Sequence, residues 1–206
     1  MTDVRADAAY GRTNWRRFAV AVGIPTVIAG ALVVGLANGA FAASLTVSGQ
    51  AFKIKADKLV GDGFVQYSGA HATVDGRTVP VAVSGIRHAT LYNLCQSVRP
   101  KGSPVSLTIH AGTDAKHPAE ADNLLIGLTE LRGDAVFTDI AIGVDASRVT
   151  EGGPGAKGPA GGFAQEASSV TITGLEQTAY STQAGTFTLR GLNLRLNTGG
   201  DPEECF

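Results

Sequence analysis

The chain has 206 residues, of which 17% are charged and 27 are glycine, and its formal net charge is −1. Before Phe18 there are four Arg against two Asp, and the remainder carries 13 Lys and Arg against 16 Asp and Glu. A mildly acidic body has no electrostatic footprint for nucleic acid and no polybasic surface for anionic head groups. Few aromatic residues and abundant Gly favour strands and turns over helices.

The first element is an apolar segment. Residues 1–17 form a basic start, with Arg12, Arg16 and Arg17 leading into a charge-free stretch from Phe18 to Phe52. The run Phe18–Leu36 has about the length that spans a ~30 Å hydrocarbon core as a helix. Ala40-Phe41-Ala42 also fits a small-x-small cleavage site, with the cut before Ala43. Residues 18–42 are therefore read as either a cleaved signal peptide or a retained membrane anchor. Both readings leave the N-terminus inside and residues 43–206 outside, because the Arg excess precedes the segment. The body of roughly 160 residues fits one domain able to bury a core.

Beyond residue 44 the apolar residues alternate, the period of a strand. Leu45-Thr46-Val47 leads, followed by Phe52–Lys55, then Val79, Val81 and Val83. Val105, Leu107 and Ile109 come next, then Leu124, Ile126 and Leu128, and Ile140, Ile142 and Val144. Val170 and Ile172, Phe187 and Leu189, and Leu192, Leu194 and Leu196 complete the series. The fold class read from this is all-β, a sandwich or a rolled antiparallel sheet. Its inward set is expected to include Val47, Ile54, Val83, Leu107, Ile126, Ile142, Leu189 and Leu194.

The apolar phase changes parity at Gly85, Gly174 and Gly191, each of which follows an apolar-x pair. A one-residue slip inverts a strand unless a bulge absorbs it, so bent strands are expected there. Asp75-Gly76 is a tight-hairpin signal. The segment 100–104, with Pro at each end, reads as a loop. The stretch 151–162 has no apolar residue larger than Ala and reads as a mobile surface connection.

Cys95 and Cys205 are the only cysteines. An even count outside the membrane reads as one disulfide, against the alternative of two unpaired thiols. Two cysteines with no paired His nearby do not make a zinc set, and no cofactor is expected. The histidines at 71, 88, 110 and 117 have no partner at a motif spacing. His117, near Asp114 and Glu120, reads first as a solvated loop. No G-x-S-x-G elbow, P-loop, GxGxxG or HExxH is present. Without a catalytic signature, a non-catalytic role is the leading reading.

Asn93-Leu94-Cys95-Gln96-Ser97-Val98, the run from Gln165 to Leu196 and the ending Glu203-Glu204-Cys205-Phe206 resemble an uncharacterised family of actinobacterial membrane-anchored proteins. The resemblance implies an envelope protein with Cys95 and Cys205 as its matched cysteines. Some members carry a cholesterol-esterase label, which the missing elbow does not support. The expectation is a non-catalytic cell-envelope protein at the outer face of the cytoplasmic membrane. It would bind a lipid or an envelope protein partner. A secreted lipid-ester hydrolase is the alternative.

Overall fold

The computed structural model describes residues 50–73, 76–100, 105–198 and 203–206. The expected segment 18–42 and the strand at Leu45–Val47 lie outside the described residues. Every regular element described is a strand, as the alternation predicts. They are β1 (Phe52–Ala72), β2 (Thr78–Tyr92), β3 (Leu94–Val98), β4 (Val105–Ala111), β5 (Ala119–Thr138), β6 (Ala141–Asp145), β7 (Phe163–Gln183), β8 (Thr186–Thr188) and β9 (Asn193–Thr198).

The nine strands reduce to two long antiparallel hairpins. In the first, β1 pairs with β2 and then, in unbroken register, with β3: Lys58 faces Tyr92 and Lys55 faces Cys95. Asn93, at φ 53°, marks the break between them. The tip holds the expected tight turn, in which Gly76 has φ 78° and its N–H donates to the Thr73 carbonyl. In the second hairpin the outgoing strand is β4, β5 and β6. It pairs with the returning β7, β8 and β9.

The two hairpins join along both edges. β2 pairs with β5 and β3 with β4 on one side, and β1 pairs with β7 on the other. The circuit β1–β2–β5–β7 therefore closes on itself. The sheet is rolled, and its edges are left to the short strands β6 and β9.

The interior of the roll is the main core. Phe52, Ile54, Leu59, Ile86, Leu124, Ile126, Val170, Ile172 and Leu175 lie there, each at most 4% exposed. The parity change at Gly174 is a bulge: the β5–β7 register slips between Arg132 and Asp134, and Gly174 takes φ 62°. Ile172 and Leu175 can then both point inward although one number is even and the other odd. At Gly85 there is no slip. There both faces of β2 are covered, Ile86 by the main core and Val83 by a second cluster.

That second cluster overturns one expectation. The stretch 151–162 is not a mobile connection. It folds back on the outer face of the roll, burying Val149 and Ala156 (each 1% exposed) against Val65 and Tyr67. Glycine makes this possible by its lack of bulk. A Cβ at Gly152 would lie 2.3 Å from a Val65 methyl, and one at Gly158 would lie 2.8 Å from the Tyr67 ring. Asp145 anchors the base of the loop, accepting from the Ser147 N–H at 2.9 Å, the Ser147 hydroxyl at 2.8 Å and the Gly161 N–H at 3.1 Å. These donors hold its carboxyl below the usual carboxylate range.

The inward set needs correction as well. Ile54 and Ile126 are in the core and Leu189 packs at its margin, whereas Val83 faces outward onto the second cluster and Leu107 lines an open groove. Ile142 and Leu194 are 66% and 56% exposed. Both lie on edge strands, whose apolar row no described element covers. Val47 lies outside the described residues.

Candidate functional site

Before Lys58 the β1–β2–β5–β7 circuit is no longer closed, because β1 there pairs with β3 instead of β2. β3, β4 and β9 stand beside the first residues of β1 as a three-stranded flap whose two faces are treated differently. Cross-strand partners share a face, so the register assigns each side chain. One face carries Cys95, Ser97, Ser106, Thr108, His110 and Asn197. The other carries Gln96, Val98, Leu107, Ile109, Leu194 and Leu196.

The polar face is sealed by the C-terminal tail. Cys95 and Cys205 are joined as a disulfide, with their Cα atoms 5.8 Å apart. The Cys205 N–H donates to the Ser97 hydroxyl at 3.0 Å, and the Ser106 hydroxyl donates to the Glu203 carbonyl at 2.6 Å. Asn197 donates to Ser106 and Thr108. Lys53 reaches Glu204 at 3.3 Å and sits over the Phe206 ring. Ser97, Ser106 and Thr108 are consequently almost fully buried, with their hydroxyls satisfied. His110 has its Nε2 4.0 Å from the Cys95 sulfur. It lines a polar cavity beside the bridge with Lys55, Asp57 and Asn93. Neither sulfur there is a nucleophile, because each is bonded to the other.

The apolar face lines a groove of about 220 Å³. Gln96, Val98, Leu107 and Ile109 form one wall. Thr182, Phe187 and Leu189, on β7 and just after it, form the other, and Phe52 lies at the base. Val98, Phe187 and Leu189 also pack on the main core, so the groove is an opening in the same apolar interior. The Thr182 hydroxyl is buried there without a hydrogen-bond partner among the described residues. Leu192, Leu194 and Leu196 extend the apolar surface at exposures of 54%, 56% and 66%. The outer edge of β9 has no strand beside it among the described residues.

The remaining titratable residues do not converge on this groove. His88 meets Asp122 at 2.7 Å on the outer face of β2 and β5, where the two side chains are 44% and 53% exposed. His117 meets Asp114 at 2.8 Å in the loop after β4. That bond and the Lys116 N–H hold the Asp114 carboxyl below its usual range. Glu120 turns instead to Arg190, at 2.9 Å. The loop trio 114, 117 and 120 is therefore split. No cluster of three metal-ligating side chains occurs among the described residues.

The cysteine pair was readable from its count. The groove was not, because its two walls come from segments far apart in the chain. The only sequence signal was negative: Leu192, Leu194 and Leu196 alternate at the end of the chain, after the core positions are already filled.

No curated protein and no solved structure matches the chain. One family model does, over residues 48–206, and its description is "Family of unknown function (DUF6230)". That span takes in both hairpins, the flap and the bridged tail, and the chain belongs to this family.

Proposed function

We propose that this is a non-catalytic cell-envelope protein whose groove binds the apolar part of a lipid or of a partner protein. The N-terminal segment 18–42 holds it at the outer face of the cytoplasmic membrane, or is cut after Ala42 to release it. The observation that carries the reading is the contrast between the two faces of the flap. The polar face is closed by a disulfide and a hydrogen-bonded tail, while no described residue covers the apolar face beside the core. An uncovered apolar surface of this kind is a binding feature more often than an accident of packing. The disulfide fits an oxidising compartment.

Size narrows the occupant. About 220 Å³ is less than the ~300–1,000 Å³ of pockets for drug-sized molecules. It suits one slender alkyl chain or a few partner side chains better than a fused-ring sterol. The hydrolase alternative requires a nucleophile, a base and an orienting acid within reach of the bound ester. The His–carboxylate pairs lie on exposed strands and loops, and neither lines the groove.

The test is to purify the full chain from its own membranes and identify what accompanies it by mass spectrometry. Ile109→Asn is run in parallel. A lipid or protein lost from the variant supports the reading. Ester turnover that disappears on substituting a single Ser or His would sink it in favour of the hydrolase.

A further inference from the structure

On the polar face of the flap, Cys95 lies between two cross-strand partners, Lys55 of β1 and His110 of β4. Such partners share a face, and the His110 Nε2 is 4.0 Å from the Cys95 sulfur. Cys95 and Cys205 are only half-buried, and both line the cavity of about 210 Å³ beside the bridge. Asp57, Glu203 and Glu204 face the same cavity, and their charge disfavours a thiolate. Lys55 is drawn away to Glu176, at 2.9 Å. On β9 the face carries Asn193 and the exposed Arg195, opposite His110 and Thr108. The imidazole is thus the group in contact with a sulfur that favours a thiolate when protonated. Glu203 and Glu204 belong to the tail, so they go with Cys205 when it comes free. The tail's other ties are its hydrogen bonds at Ser97, Ser106 and Lys53 and the Lys53–Glu204 pair. They are too few to offset the entropy of ordering residues 203–206.

We propose that the Cys95–Cys205 bridge is a thiol–disulfide exchange site, opened in the folded protein by an external dithiol, and that His110 assists departure of the Cys95 sulfur. The inference is independent of the groove. One thiol of the dithiol attacks, as thiolate, the Cys205 sulfur, which is on the outer side of the bridge because the tail lies over the flap. A new S–S bond forms there, the Cys95–Cys205 bond breaks, and its electron pair departs on Cys95. A leaving thiol of lower pKa departs faster. An imidazolium at His110 provides this by pairing with the sulfur or by giving it the Nε2 proton. The second thiol, deprotonated, then attacks the reductant's own sulfur in the mixed disulfide. Cys205 is released as a thiolate and takes a proton from water. The dithiol ends as a disulfide, having given two electrons, and Cys95 and Cys205 end as thiols. A dithiol suits the site because its second thiol resolves the mixed disulfide before Cys95 can attack it again. The tail then quits the polar face and uncovers Ser97, Ser106 and Thr108.

The test uses the full chain in detergent, with dithiothreitol as the dithiol. Samples are quenched by alkylation and their free thiols counted by mass spectrometry, while far-UV circular dichroism follows the fold. The rate of opening should rise in proportion to dithiothreitol with the strand signal unchanged. A rate that levels off at the rate of unfolding overturns the proposal, because the bridge would then open only in the unfolded chain. His110→Gln should slow opening about fivefold at about pH 6, compared at equal dithiothreitol thiolate. The gap should close by about pH 9, where an imidazole carries no charge. Equal rates at the lower pH remove His110 from the step. If the variant does not fold, the unmodified chain reads the same contact. Its rate per thiolate should fall several-fold between those two pH values, and a flat profile overturns the role of His110. In the reduced chain, hydrogen exchange at the Cys205 amide should be at least tenfold faster than in the bridged chain. Retained protection there overturns the release of the tail.

Discussion

Replacing both cysteines, Cys95→Ser with Cys205→Ser, should destabilise the folded body by about 2–3 kcal/mol, inside the range of native disulfides. The bridge spans 110 residues. The chain-entropy model gives about 4–5 kcal/mol for a loop of that size, all of it acting on the unfolded state. Part of this is recovered, because the tail does not hold itself down. Its hydrogen bonds to Ser97 and Ser106 and the one Lys53 donates to the Phe206 carbonyl contribute about 1 kcal/mol each, and the part-exposed Lys53–Glu204 pair at most about 1. Ordering four residues costs about 1–2 kcal/mol apiece, so the tail detaches once the bridge is gone and its entropy returns to the native state. At about 2–4 °C per kcal/mol, the melting midpoint should fall by about 5–10 °C. The assay is unfolding of the full chain followed by far-UV circular dichroism, since the one tryptophan, Trp15, lies outside the described residues. Hydrogen exchange at the position 205 amide is measured alongside. A loss under about 1 kcal/mol, with that amide still protected, would refute the reasoning, because the tail would then dock without its covalent bond.

Gly152→Ala and Gly158→Ala should each destabilise by about 1–3 kcal/mol through overpacking on Val65 and Tyr67. In Gly155→Ala the added methyl meets nothing within 4 Å, and only the φ of +78° costs, about 1–2 kcal/mol. Denaturant midpoints of the three variants check the order. Leu175→Ala, fully buried, should cost about 2–5 kcal/mol, whereas Ile142→Ala, on an edge strand, should stay within about 0.5. Similar losses at the two sites would contradict the assigned faces. Asp145 has a folded pKa depressed by its three donors, so its contribution is present above the ordinary 3.8 and is lost as pH falls through the lower folded value. The stability gap between the native chain and Asp145→Asn should therefore be open at pH 7 and close as pH drops below 3.8. A gap unchanged down to pH 2 would remove the loop anchor from the account.

Strand content was legible because a period of two survives in the order of the residues. What alternation states is that residues share a face. It does not state that the face is covered. Ile126 and Ile142 have the same pattern in sequence, yet the first faces the closed part of the roll and the second an edge. The loop 151–162 misled for the opposite reason. Composition counts large apolar side chains, but this loop packs by having so few, letting backbone rest on Val65 and Tyr67. The even cysteine count carried the bridge. The groove depends on how one hairpin lies across the other, and no local run of residues encodes that.

The contact of Lys53 with Glu204 and Phe206 places the start of β1 and the last residues of the chain at one pole. A pull applied between those two points would pass through the short β1–β3 ladder to Cys95 and across the sulfur bridge to the tail, bypassing the rest of the roll. Joining the two points through a short Gly-rich linker and opening the chain at the Gly76 turn should then yield a circular permutant with every ladder of the roll still paired.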